Sequence, residues 1–315
     1  TRPIALAVNP VTNKIYVANY SSNTVTVIDG NSYPTSSVPV AGVPSDVAVD
    51  PLTAKVWVAS NNLALIDGAT QITTSVSTNS LVALAVNPVT GKIYGGSTPF
   101  QNPMSVIDEV SLAVTQIPGT CVFCFNLVVD PVINKVYAAP NMEQKVRVID
   151  GATNAVTDLD LASFSNGIAN NPVTNKAYLV SGNTVVVVDG ATHTILKTVA
   201  VGTNPYAIAV NPLTNRIYAA NSSNNNVTVI DGAVDTVVTT VPVGTYPLYI
   251  AVNPLTNRIY VANHSSNNVT VINGASNTVV ATVSAGTSPI AIAIDLAANK
   301  IYVANSGTFG VNSTT

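Results

Sequence analysis

The 315-residue chain is poor in the side chains that most enzymes work with, having 2 histidines, 2 cysteines, 1 tryptophan and only 9% charged residues. Two cysteines exclude a four-thiolate zinc site within one chain. The histidines, His193 and His264, fall in two different kinds of turn expected at opposite ends of the same sheets, which excludes a metal site or Ser-His-Asp triad built from both. Basic side chains are as scarce: 12 against 15 acidic residues give a net charge of -3. That balance argues against a protein that binds nucleic acid by neutralising many phosphates. Although 47% of residues are apolar, no apolar run approaches the ~20 residues of a membrane-spanning helix, and no amphipathic helical period occurs. A signal peptide is also missing, since Thr1 stands almost at the first strand; a mature, trimmed or partial product is expected.

What the sequence has in abundance is repetition. Asn-Pro or Asp-Pro recurs at Asn9, Asp50, Asn87, Asp130, Asn171, Asn211 and Asn253, with a weakened eighth copy at Asp295-Leu296. The spacings are 41, 37, 43, 41, 40, 42 and 42 residues, a period that signals stacked supersecondary units. Within each unit, short Val-, Ile- and Tyr-rich runs are bounded by Gly, Pro, Asn and Asp, as strands require. Residues 208–232 give the clearest copy, with strands A to D expected over 206–210, 216–220, 226–231 and 236–243. The runs are apolar at nearly every position, so both faces of each sheet must be covered. Four antiparallel strands in about 42 residues, flanked by neighbours on both faces, predict an all-β propeller blade.

The copies KIYVAN (14–19), RIYVAN (258–263) and KIYVAN (300–305), usually followed by VTVIDG or VTVING, resemble the YVTN-type β-propeller repeat over essentially the whole chain. The resemblance implies a propeller of the kind found in archaeal surface-layer and exported bacterial proteins, in binding as well as structural roles. The family's usual ring has seven blades. Here the blades are expected at about 1–42, 43–79, 80–119, 120–162, 163–202, 203–244 and 245–286, with a partial eighth at 287–315. Eight blades with an incomplete last one are favoured over seven plus the start of further repeats, because orphan strands would expose Ile290, Ile292, Ile294, Ile301, Tyr302 and Val303. An incomplete blade also offers an open edge for self-association. Copies two to four depart most from the pattern, at Trp57, at the short loop Asn61-Asn62 and at an insertion over 98–103.

Eight basic residues share one repeat position at the start of strand B: Lys14, Lys55, Lys92, Lys135, Lys176, Arg216, Arg258 and Lys300. The B–C hairpin is expected to set them opposite Asp29, Asp67, Asp108, Asp150, Asp189 and Asp231, as partly exposed pairs worth about 0.2–1 kcal/mol each. Arg258 faces Asn273 instead, and Lys300 has no strand C partner. Asp158 and Asp160 share a face of an outer strand, where a solvated edge is a simpler reading than a catalytic dyad. Cys121 and Cys124 form a candidate local disulfide beside an enlarged loop. Asn19, Asn221, Asn226, Asn263, Asn268 and Asn312 open Asn-x-Ser/Thr triplets, which are candidate glycosylation sites in an exported protein.

Function is sought where the copies disagree, on the end of the ring that carries the B–C and D–A loops. The candidate ligand-binding residues there are Arg2, Asp46, Phe125, Asn126, Asn166, Tyr206, Tyr246, Tyr249 and His264. Rings beside amides suit carbohydrate or peptide contact. The expected function is a non-catalytic binding or structural propeller outside the cytoplasm, at the cell surface, in the extracellular space or in the periplasm, with a protein or carbohydrate ligand, no cofactor and no metal. Two alternatives are weighed against it: a lactonase- or lyase-like enzyme with its site at the channel mouth, and a binder of single-stranded nucleic acid.

Overall fold

The computed structural model describes residues 2–97, 103–119 and 124–307. They form seven four-stranded antiparallel sheets, each ordered A-B-C-D, and one two-stranded sheet. The inner strands A run Pro3–Asn9, Asp46–Val49, Leu81–Asn87, Cys124–Asp130, Ser165–Asn171, Pro205–Asn211, Pro247–Asn253 and Pro289–Asp295. Each packs beside the A strand of the next blade, and the eighth packs against both the seventh and the first. The ring therefore closes with eight blades, and among the described residues the last is formed by Pro289–Asp295 and Lys300–Asn305. Lys300 completes the closure: its Nζ donates to the carbonyl of Gly30 in blade 1 and stands 4.9 Å from the centre of the Tyr33 ring.

In blade 6 the strands are Pro205–Asn211, Arg216–Asn221, Asn226–Asp231 and Thr236–Pro242, within about one residue of the pattern read from sequence. Strand A gains Asn211 because that residue pairs with Arg216 across the A–B hairpin. Seven apolar clusters fill the interior, each shared by two neighbouring blades. Between blades 6 and 7, Tyr218, Val227, Val229 and Val241 pack on Ile250, Ile259, Val261 and Ile272. Neighbouring blades thus bury both faces of a sheet, which is why its strands do not alternate.

The turns follow the residue chemistry. Asn13, Asn134, Asn175, Asn215, Asn257 and Asn299 all take left-handed backbone, at φ of 50 to 53°. In the Asp-Gly turns the left-handed residue comes later, at Tyr33, Asn154, His193 and Asp235, while the Asp caps the turn, as when Asp29 Oδ1 accepts the backbone N–H of Asn31 and Ser32 at 2.9 and 3.1 Å. The glycine is needed for space: a Cβ on Gly151 would run into the side chain of Asn134 on the adjoining turn.

The strand B cations also need a correction. The expected register holds, Lys14 opposite Asp29 and Arg216 opposite Asp231. Of the six expected pairs, however, only Lys135–Asp150, at 2.7 Å, and Arg216–Asp231 close as ion pairs among the described residues. Lys14, Lys92 and Lys176 reach instead to the next blade, donating to the carbonyls of Gly68, Gly151 and Gly232. Lys55 likewise donates to the Glu109 carbonyl at 2.9 Å. A turn carbonyl that has no ladder partner is a ready acceptor, and the lysine that satisfies it ties two blades together.

Candidate functional site

Every complete inner strand but one carries a register shift at its first residues, as between Cys124 and Asn126, Ser165 and Gly167, Pro205 and Ala207, and Pro247 and Tyr249. Such a bulge inserts one residue, bends the strand and re-aims side chains. Phe125, Asn166 and Tyr206 are the inserted residues of blades 4, 5 and 6, and Asn126 and Tyr249 directly follow the inserted residues of blades 4 and 7. Five of the nine candidates thus occupy one structural feature on four consecutive blades.

Four of them meet. Asn126, Asn166, Tyr206 and Tyr249 line a single cavity of about 260 Å³ at the inner strands of blades 4 to 7, together with Leu248 and the backbone at Gly167. Asn126 Nδ2 donates to the carbonyl of Asn166 at 3.1 Å, fixing one amide against the next bulge. Gly167 keeps the floor open, because a Cβ there would stand 3.2 Å from the Tyr206 carbonyl. Tyr206 and Tyr249 are 46% and 40% exposed, so neither belongs to the packed core. Burial of the Tyr249 hydroxyl in the channel, and then the charge of Asp46, raise its pKa and keep it a donor.

Asp46 lies in the inner strand of blade 2 and does not line that cavity. Its two oxygens accept the backbone N–H of Val47 and of Leu84 in the next blade, each at 2.8 Å. Burial pushes its pKa up to about 6 against those two bonds. The remaining candidates form pairs elsewhere. Arg2 stacks 5.3 Å from the centre of the Tyr20 ring. Tyr246 and His264 meet edge to face at 5.9 Å, and the backbone N–H of His264 donates to the Tyr246 carbonyl at 3.0 Å. Burial lowers the His264 pKa, favouring the neutral ring.

Three glycosylation candidates are closed off. Asn19, Asn221 and Asn263 are buried, and their Nδ2 groups donate to Thr26, Thr228 and Thr270 at 2.8 Å within the blade. A glycan needs that nitrogen, so these triplets arise from the repeat rather than from modification. Asn226 and Asn268 are half-buried and accept from Asn221 and Asn263 at 2.7 Å. Asn312 lies outside the described residues, as do Cys121 and residues 98–102 of the insertion. Cys124 is buried and disulfide-bonded.

Two clusters were not anticipated. In blade 4, Arg147 holds Glu143 through two bonds at 3.1 and 2.7 Å, and Lys145 binds Asp158 at 2.8 Å. Asp158 is therefore part of a salt-bridged edge and not of a dyad with Asp160. Between blades 2 and 3, the buried carboxyl of Glu109 accepts from Thr53 at 2.6 Å beside Lys55 and Asp50; burial, more than the nearby Asp50 charge, raises its pKa. Glu109 stands where other copies have the Asp-Gly glycine, a departure visible in the sequence. No group of three or more His, Cys, Asp or Glu side chains suited to a metal occurs among the described residues.

The fold and the ring define the class: this is an eight-bladed β-propeller built from sequence repeats. Among solved structures it is similar to Kuenenia stuttgartiensis hydrazine synthase, with a TM-score of 0.69 and 18% identity over 86% of this chain and 95% of that one. It is also similar to the dihydro-heme d1 dehydrogenase NirN in complex with DHE, with a TM-score of 0.76 and 13% identity over 95% of this chain and 75% of that one. Identities this low show a shared fold alone. No family model matches the chain, and no curated protein matches it. No helix among the described residues is long and apolar enough to cross a membrane.

Proposed function

We propose that this chain is a non-catalytic propeller of the YVTN type that binds a carbohydrate at its channel mouth, in an extracytoplasmic compartment. The observation that carries the reading is the convergence of Asn126, Asn166, Tyr206 and Tyr249, from four different blades, on one cavity of about 260 Å³. Half-exposed tyrosine rings stack on the apolar faces of sugar rings, and amides supply donor and acceptor together for hydroxyl groups. Concave sites with a few fixed polar groups are the usual form of small-molecule sites. The disulfide at Cys124 suits an oxidising compartment.

Asp46 favours a second reading, an enzyme, because a carboxyl raised to about 6 is poised near neutrality. Both of its oxygens are engaged by backbone N–H groups, which suits a strut between blades better than a general base. The DHE complex of NirN raises a tetrapyrrole as another ligand; of the four side chains that define the cavity only Tyr206 and Tyr249 could ligate an iron, as phenolates, and the raised pKa of Tyr249 opposes that form.

A glycan array separates these readings. The intact chain should bind a limited set of glycans, and a Tyr206→Ala, Tyr249→Ala double variant with an unchanged circular dichroism spectrum should lose them. Glycan binding unchanged in the double variant, or none above background, contradicts the carbohydrate site. Hydrolysis of a lactone panel that disappears in Asp46→Asn would favour the enzyme.

A further inference from the structure

We propose that the end of the ring opposite the channel-mouth cavity is the contact face of a homodimer, in which two copies of this chain meet through a crown of aliphatic turn tips. Because each blade is an antiparallel meander, its A–B and C–D turns share one end and its B–C and D–A loops the other. The bond from the Gly30 N–H to the Asn13 carbonyl, at 2.8 Å, joins the two turns of blade 1 directly. Among the described residues, the exposed large hydrophobic side chains divide between these ends by kind. Six of the seven exposed aromatics lie at the loop end, Tyr33 being the exception. Every Val, Leu or Ile that is at least 60% exposed lies at the turn end.

Seven of these form the crown. Val11, Leu52, Val89, Val132, Val173, Leu213 and Leu255 follow the Asn-Pro or Asp-Pro of the first seven blades, and they are 62 to 71% exposed. The narrow spread means that each stands out from its turn to the same degree. The turn itself does not require them. It is fixed by the backbone N–H of the same residue, which donates to the Asn or Asp side chain two residues earlier, at 3.0 Å for Val11 and 3.1 Å for Leu213. Blade 8 makes that bond at 3.0 Å with Ala297 in the position. The copies have diverged between Val and Leu yet stay branched and aliphatic, where a solvated turn tip is ordinarily polar. A contiguous apolar patch of this kind marks a contact surface. Neighbouring turns are bonded side chain to side chain, as Asn171 to Asn215 at 2.9 Å, so the crown is held ready for a partner.

A second copy is the partner that fits. Each crown side chain presents on the order of 100 Å² of apolar surface, so the ring supplies most of the ~800 Å² per partner that a standard interface buries. Two identical rings related by a two-fold axis match all the way round, because successive blades offer the same kind of side chain at the same place; a partner without the repeat would touch only an arc. Charge agrees. The same end sets Lys14 opposite Asp29, Lys135 opposite Asp150 and Arg216 opposite Asp231, so both signs stand side by side in each blade and two such faces can meet without general repulsion. A lipid surface would instead call for Trp, Phe or an excess of basic side chains among the aliphatic ones. Pairing through this end leaves the two cavities of about 260 Å³ facing in opposite directions, so one dimer presents two sites on opposite surfaces, whatever the cavity binds.

Analytical ultracentrifugation of the intact 315-residue chain should show a concentration-dependent dimer. Val173→Lys with Leu213→Lys should weaken it at least tenfold with an unchanged thermal midpoint, and so should Val89→Lys with Leu255→Lys, on other blades of the same crown. Met142→Lys, at a side chain 62% exposed at the loop end, should leave the dimer as it is. A monomer at every concentration overturns the proposal, as does a dimer that survives both crown variants. Co-sedimentation of the monomeric chain with phosphatidylcholine vesicles, lost in the crown variants, also overturns it and assigns the face to a lipid surface.

Discussion

The side-chain amide of Asn211 donates to Oδ1 of Asn257 in the following blade at 2.9 Å. The same bond joins Asn87 to Asn134, Asn171 to Asn215, and Asn253 to Asn299, each at 2.9 Å. Each donor is the Asn of an Asn-Pro turn or its counterpart, and each acceptor is the left-handed Asn of the next turn. The bonds form a belt around the ring. Where the donor is an aspartate, the belt breaks: Asp130 precedes Asn175 and Asp295 precedes Asn13, and the Oδ1 atoms of Asn175 and Asn13 are buried without a partner.

Asp130→Asn and Asp295→Asn should therefore restore two belt bonds while keeping the Oδ1 atoms that cap their own turns. Each should stabilise the fold by about 0.5–1.5 kcal/mol, the usual net value of such a bond. Urea unfolding followed by fluorescence measures this, and a lower midpoint in either variant would contradict the belt.

A methyl group at Gly68 would collide with the backbone carbonyl of Ala54, an atom that cannot swing aside as a side chain can. Gly68→Ala should cost about 1–3 kcal/mol, in the range of overpacking substitutions. A thermal midpoint equal to that of the parent would show that the two turns are less closely packed than described.

Asp46 gives a pH signature of definite sign. Its folded pKa of about 6 exceeds the ordinary 3.8, so the folded chain holds that proton more tightly than the unfolded one. The stability it contributes is present below about pH 4 and is lost as pH rises through 6. Between pH 3.5 and 7 the parent should lose up to about 3 kcal/mol relative to Asp46→Asn, at about 1.4 kcal/mol per pH unit of difference. Urea midpoints across that range test it; parallel curves would place the carboxylate in water.

Lys300 closes the ring through Gly30 and Tyr33. Lys300→Met should leave blades 2 to 6 protected and speed amide hydrogen exchange in Pro289–Asp295 and Lys300–Asn305 at least tenfold, since a bond to a charged donor contributes about 1.5–3 kcal/mol. Uniform exchange rates across all blades would mean that closure does not depend on this contact.

The repeat made the architecture legible. Short Val- and Ile-rich runs at a period near 42 residues are enough to place four strands per blade, and the exposure that Ile301 and Val303 would suffer outside a ring pointed to eight blades. Cross-strand register was legible too, as in Arg216 opposite Asp231. Which acceptor a lysine chooses was not, because Lys14 and Lys176 find carbonyls on a neighbouring blade, and sequence spacing within one blade carries no information about that approach. The same holds for Asn19, Asn221 and Asn263: their triplets read as exposed, but pairing with Thr26, Thr228 and Thr270 turns the amides inward. The candidate cavity was partly legible, since Asn126, Asn166, Tyr206 and Tyr249, which line it, depart from their copies. The bulges that bring them together were not, since an inserted residue leaves no mark when nearly every copy has it.

In the proposed function the repeat positions build the scaffold and the copy-specific positions bind. Isothermal titration of a glycan identified on the array, run beside thermal unfolding, tests it with two variants: Asn166→Ala, at a half-buried copy-specific position, and Val229→Ala, at a buried repeat position. Asn166→Ala should weaken binding at least tenfold with little change in the midpoint. Val229→Ala should lower the midpoint by several degrees, consistent with about 2–4 kcal/mol for a truncated core side chain, and leave affinity within twofold. Affinity that falls with Val229→Ala and survives Asn166→Ala would contradict the account.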